Sequence, residues 1–133
     1  MSMSPQVSFG AREKVIDDAA MNGPATSSAI DVRSYSILRL DIETTRVAYT
    51  TITVTPTQSD DATFPTAGTY AVADIASGGA TAAFVSTYTT SASQKYSIML
   101  DVRGLHYVKV AVGGASAGAT DKATVYAAPG RGI

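Results

Sequence analysis

The chain has 133 residues, ten Lys plus Arg against eleven Asp plus Glu, a formal net charge of −1 and no cysteine. A domain of this length buries roughly two-thirds of the surface its unfolded form exposes, and without cysteine it holds together by packing alone, with neither disulfides nor thiolate metal sites. The basic excess with which a nucleic-acid binder neutralises phosphate is missing, no apolar run reaches the roughly 18 residues of a membrane helix, and Met1 to Gly10 lacks the basic-then-apolar layout of a signal peptide. The expectation is a soluble protein with no nucleic-acid partner, no membrane partner and no export signal.

Residues 1–29 are expected to form an extended N-terminal arm. They mix polar and apolar residues with Pro5, Gly10, Gly23 and Pro24, and hold one short helix-compatible stretch, Ala11 to Met21. Five apolar side chains, Val7, Phe9, Val15, Ile16 and Met21, are candidate anchors with which the arm would grip a partner surface; a frayed terminus is the plain alternative.

Residues 30–133 are expected to form the folded domain. Short β-rich runs follow one another: Asp31 to Ile42, Arg46 to Thr57, Thr69 to Ala76, Ala80 to Tyr88, Lys95 to Val102, Leu105 to Gly113 and Asp121 to Ala128. Alternation is clear from Val47 to Thr55, with Val47, Tyr49, Thr51, Thr53 and Thr55 on one face and Ala48, Thr50, Ile52 and Val54 on the other. Turn residues fill the gaps, and no gap is long enough for a crossover helix. The pattern predicts an all-β, antiparallel two-sheet sandwich, Greek-key and jelly-roll-like.

Asp31-Val32-Arg33 and Asp101-Val102-Arg103 stand 70 residues apart, and each is followed at the same offset by Ile37 to Leu40 or Tyr107 to Val110. The echo predicts equivalent strands in two halves of the sandwich; duplication and convergence on a common strand-start pattern both account for it. Residues 41 to 74 hold four more acidic than basic side chains and residues 95 to 133 three more basic than acidic, opposed patches that would steer subunits into a defined register or onto an oppositely charged lattice, with ordinary scatter over a folded surface as the plain alternative.

Catalytic chemistry finds little support. One histidine, His106, sits inside an expected strand with no cysteine in the chain, too little for a nucleophile, base and orienting acid, and the spacing offers no zinc site. Asp60-Asp61, with Asp41, Glu43 and Asp74, lacks the spacing of a calcium loop and reads as a solvated turn. No tryptophan is present for a sugar to stack on, and nothing sets paired carboxylates in a cleft. Gly113 to Gly118 has neither the lysine nor the following helix of a phosphate loop. No catalytic, cofactor or metal residue is assigned, and no cofactor is expected. Charged residues make up 16% of the chain, against about a quarter in typical soluble domains. A small, neutral surface suits close packing against other subunits.

Ser28 to Tyr35 (SAIDVRSY), Gln58 to Phe64 (QSDDATF) and Leu100 to Val110 (LDVRGLHYVKV) resemble segments of virion structural proteins of tailed bacteriophages, especially the small β-sandwich proteins that decorate or cement capsids. An Asp-Gly turn is usual in such proteins, and Asp61-Ala62 departs from it. The resemblance implies a non-enzymatic protein on the capsid exterior of a virion assembled in the host cytoplasm, with the major capsid protein as partner and a homotrimer, then a dimer, as the expected assembly. A tail, collar or head-fibre component is the alternative, and a carbohydrate-binding module the third.

Overall fold

The computed structural model describes residues 8–73 and 83–132. Eleven strands run through them: β1 (Ser8–Phe9), β2 (Glu13–Ala20), β3 (Ala25–Thr26), β4 (Ile30–Asp31), β5 (Ile37–Thr45), β6 (Thr51–Ser59), β7 (Thr69–Ala71), β8 (Ser86–Thr89), β9 (Lys95–Asp101), β10 (Tyr107–Ala115) and β11 (Lys122–Arg131). A single 3-10 turn, Thr66–Gly68, interrupts them. All named strand pairs are antiparallel, in two sheets. In sheet A, β1 and β2 share one edge of β11, followed by β5 and β9; in sheet B, β3 and β4 share one edge of β10, followed by β6 and then β7 and β8. Counting each shared edge as one strand position, this is the eight-position order of a jelly roll, the architecture expected from the sequence.

Alternation decides which side chains face inward. Along β5 the even positions Leu38, Leu40 and Ile42 are fully buried, as are Ile52 and Val54 of β6 and Val108, Val110 and Val112 of β10. These rows meet between the sheets, with Leu100, Val125 and Tyr49, in one core. Two prolines inside strands stand where the missing N–H costs no ladder bond. Pro56 lies in the gap between the segments of β6 covered by β7 and β8, and Pro129 turns its carbonyl away from β5 to accept the Gly10 N–H at 3.0 Å.

The N-terminal residues expected to form an arm are, from Ser8 onward, part of this sandwich. β2 pairs with β11 through a register that shifts twice, and Asp18, at φ 44°, sits within the irregular stretch. Ile16 and Met21 are core residues and Val15 packs against the core. The physical reason is the edge of β11: without β1 and β2 its outward N–H and C=O groups would stand unpaired. That tertiary demand also overrides the helix-compatible composition of Ala11 to Met21.

The 70-residue echo becomes a pseudo-twofold relation. Asp31 pairs with Tyr107 and Ile30 with Val108; Asp101 pairs with Ile37 and Leu100 with Leu38, the same contacts with the halves exchanged. The Val32 N–H donates to the His106 carbonyl at 2.9 Å and the Val102 N–H to the Ser36 carbonyl at 3.1 Å. Each Asp accepts the backbone N–H and guanidinium of the Arg two residues on, and each valine carbonyl closes a turn onto Tyr35 or Leu105. The third residue of each turn has positive φ: Gly104 at 80° and Ser34 at 71°.

Only glycine occupies that conformation without strain. Ser34→Gly is expected to raise stability by about 0.5 kcal/mol and Gly104→Ser to lower it by about 1 kcal/mol, read as opposite shifts of the urea midpoint at constant m-value. Equal effects of the same sign would contradict the equivalence of the two turns.

Candidate interaction surfaces

The two outward faces differ in chemistry because the strands beneath them alternate differently. On sheet B the odd positions of β6 present Thr51, Thr53 and Thr55, which lie opposite Ala115, Gly113 and Ala111 of β10. Thr51 and Thr53 also lie opposite Thr89 and Thr87 of β8. This part of the face carries no charge. Charged groups gather toward its other end, where Lys109 stands 4.8 Å from the Phe64 ring and Arg33 5.1 Å from the Tyr107 ring.

Sheet A presents a network of charges and rings. Asp41 accepts the Ser97 hydroxyl at 2.6 Å and the Arg12 guanidinium at 3.3 Å, and pairs with Arg39 at 3.1 Å. Partial burial raises the Asp41 carboxyl, but Ser97, Arg39 and Arg12 outweigh it, so its pKa falls below the ordinary value. Arg12 lies 4.0 Å from the Tyr126 ring and Arg39 4.9 Å from the Phe9 ring, within cation–π range.

Asp121 fixes the corner between the sheets. One carboxylate oxygen accepts the N–H groups of Val47, Ala48 and Tyr49, and the other accepts Gly118 N–H at 2.8 Å. The residue is 0% exposed. Burial pushes its pKa up, and the four backbone amides push it down further, leaving it far below the ordinary carboxylate value. The Gly113 to Gly118 segment therefore closes around an internal carboxylate. Gly114 itself is fixed by packing, since a Cβ there would lie 3.0 Å from the Thr51 carbonyl and 3.1 Å from the Tyr49 Cβ.

The candidate anchors separate. Val7 lies outside the described residues; Phe9 lies under Arg39 on sheet A; Val15 is half-buried, and Ile16 and Met21 are spent on the chain's own core. The opposed charge patches do not form as the sequence segments suggested, because the halves interleave: Glu43 lies opposite Lys95, Asp41 meets Arg12 and Arg39, and Asp121 is buried. Asp74 lies outside the described residues.

His106 is half-exposed with Nδ1 3.6 Å from Asp60, beside an open cleft of about 420 Å³ lined by residues including Asp60, Asp61, Tyr70 and Leu105. Asp61 is committed to the turn, accepting the Thr63 N–H at 2.9 Å and hydroxyl at 2.7 Å. Among the described residues no three His, Asp or Glu side chains gather as a metal site. The tyrosines disperse. Tyr49 is buried, Tyr126 lies on sheet A, Tyr107 near Arg33, and Tyr70 is 61% exposed at the sheet B edge. Tyr88 and Tyr96 meet edge to face, with ring centroids 5.5 Å apart. Burial raises the Tyr96 hydroxyl to about 12. Asp121 was missed from sequence because its partners lie more than 70 residues away, except Gly118; the Gly-x-x-Asp spacing before a strand was the one local signal.

No family model matches the chain, and no curated protein does. Its fold is similar to that of the SPBc2 prophage-derived protein YomS. That crystal structure aligns over 98% of this chain and 97% of the other, with a TM-score of 0.50 and 14% identity. A likeness this remote in sequence concerns the fold.

Replacing Asp121 by Asn leaves one oxygen for the Val47, Ala48 and Tyr49 amides but turns an N–H donor toward Gly118. Asp121→Asn is expected to cost more stability than Asp61→Asn, whose turn is exposed. Because the folded pKa is depressed, Asp121 stabilises the fold above the unfolded value of about 3.9 and loses that contribution as pH falls toward the folded value. The unfolding midpoint should therefore drop below about pH 4, and less steeply in Asp121→Asn; identical pH profiles would remove Asp121 from this role.

Proposed function

We propose that this chain is a non-enzymatic structural component of a tailed-phage particle that binds the exterior of the capsid and stabilises the shell. The observation that carries the reading is the uncharged Thr, Ala and Gly face of sheet B. A face of short side chains loses little rotamer entropy and desolvates no charge on contact, so it suits repeated contact with a large protein surface more than recognition of a small ligand. Fold likeness to a prophage-derived protein over nearly the whole of both chains supports the phage setting. The dispersed tyrosines favour it over a carbohydrate-binding module, which needs its rings on one platform.

In this reading the partner is the major capsid protein and the chain acts as a homo-oligomer assembled in the host cytoplasm. Repetition over a shell turns modest contacts into large mechanical stabilisation. A tail, collar or head-fibre position would use the same face against a different virion protein.

Purified chain added to shells lacking it is expected to bind to saturation at a fixed ratio and raise their melting temperature. Thr53→Lys places a charge on the neutral face, opposite Gly113, where there is room for it; this variant should fold as the parent does and lose most shell binding. Binding to isolated tails but not to shells would move the protein to the tail, and binding to neither would end the proposal.

A further inference from the structure

We propose that the outer edge of β9 joins two copies of this chain, strand against antiparallel strand, so that sheet A continues from one protomer into its partner. The inference does not depend on the shell reading, and it selects the dimer over the trimer.

Three of the four sheet edges are interrupted. β1 and β2 are separate pieces with register shifts in β2; β3 and β4 are two-residue pieces on either side of Ser27 to Ala29; β7 and β8 are short and apart. Such breaks blunt an edge against unwanted pairing. β9 differs, since its seven residues pair with β5 in one unbroken register from Lys95 to Asp101, with no proline or bulge. Among the described residues no strand covers its other side.

The Thr44 N–H donates to the Gln94 carbonyl at 2.8 Å and the Val102 N–H to the Ser36 carbonyl at 3.1 Å. Even-numbered residues of β9 therefore bond toward β5, and the N–H and C=O groups of Lys95, Ser97, Met99 and Asp101 point to the open edge. A long unprotected edge is a template for another strand.

The sequence of the edge selects a second copy of itself. With Ile98 opposite the partner's Ile98, all four open residues pair: Lys95 with the partner's Asp101, and Ser97 with the partner's Met99. They exchange about eight hydrogen bonds. Slipping the register by one step in one direction sets Lys95 against the partner's Arg103; in the other it sets Lys95 against the partner's Met99. The centred register alone brings opposite charges together. As rim charges they fix alignment more than affinity. Met99, 52% exposed, and half-buried Ile98 gain cover at the seam. Pairing about a twofold axis closes at two.

Sedimentation of the full chain is expected to give twice the 13.7 kDa monomer mass. Ser97→Pro removes an outward N–H without touching the β5 ladder and should weaken association ~tenfold or more with unchanged far-UV circular dichroism. Lys95→Glu sets like charges opposite Asp101 and should weaken it with a salt dependence, which keeps the test decisive if the proline variant misfolds. Ile98→Cys, in a chain otherwise free of cysteine, should form an intermolecular disulfide on oxidation faster than Ser97→Cys. A monomeric or trimeric parent, or a dimer indifferent to Lys95→Glu and not cross-linked through Ile98→Cys, would overturn the proposal.

Discussion

Each sheet is built by alternating strands from the two halves of the chain, and the remaining features follow from that exchange. β2, β5 and the β3/β4 pair come from the first half with β6; β8, β9, β10 and β11 come from the second. In sheet A, β11 and β9 flank β5; in sheet B, β10 is flanked by β3/β4 and β6. Neither half can satisfy its backbone hydrogen bonds alone, because the neighbours of β5 and β10 belong to the other half. The core row Leu38, Leu40 and Ile42 of the first half shares one cluster with Val108, Val110 and Val112 of the second. Nearly all pairing is therefore between distant residues, and loop-closure entropy must be met before either sheet forms.

The turns at Val32 to Tyr35 and Val102 to Leu105 make the exchange possible. Each hands its valine N–H to the other half and ties its Asp to its own Arg. The side chain of Arg33 or Arg103 lowers the Asp pKa in both copies, with the backbone amide helping. Asp121 does the corresponding work at the opposite corner, joining Val47 to Tyr49 of the first half to Gly118 of the second. Interior amides here find a carboxylate in place of a strand, which satisfies buried donors where the chain turns too sharply for ladder bonds.

Much of the fold was legible in the sequence because inward and outward residues alternate strictly where both sheet faces differ, as along Thr51 to Thr55. Composition could not show where a regular run would be cut. Asp31 to Ile42 reads as one strand but is divided by the turn at Ser34, whose positive φ no serine advertises. Arg46 to Thr57 begins as a strand only at Thr51, because Asp121 captures the amides of Val47 to Tyr49. Residues 1–29 read as an arm for a similar reason: Val15, Ile16 and Met21 look sparse as a segment, and gain their partners only from β11 and the shared core. Surface function was less legible still. The neutral face needs Thr53 placed beside Gly113 and Thr87, residues from three strands, and the openness of β9 depends on what the other strands leave uncovered.

The division of labour among surfaces removes a conflict between the two proposed contacts. Edge pairing through β9 extends sheet A and its outward network of Arg12, Arg39, Asp41 and Tyr126, a face where two guanidinium groups share one carboxylate and whose desolvation would be costly. The threonine face of sheet B lies on the opposite side of the sandwich, outside the ladder formed by the two β9 strands. Self-association therefore consumes backbone groups that no strand among the described residues covers, while the uncharged side-chain surface remains available to a larger assembly. Two such faces held in fixed relation by a twofold seam would bind a periodic surface with an effective concentration set by a rigid connection, the condition under which weak individual contacts reinforce one another.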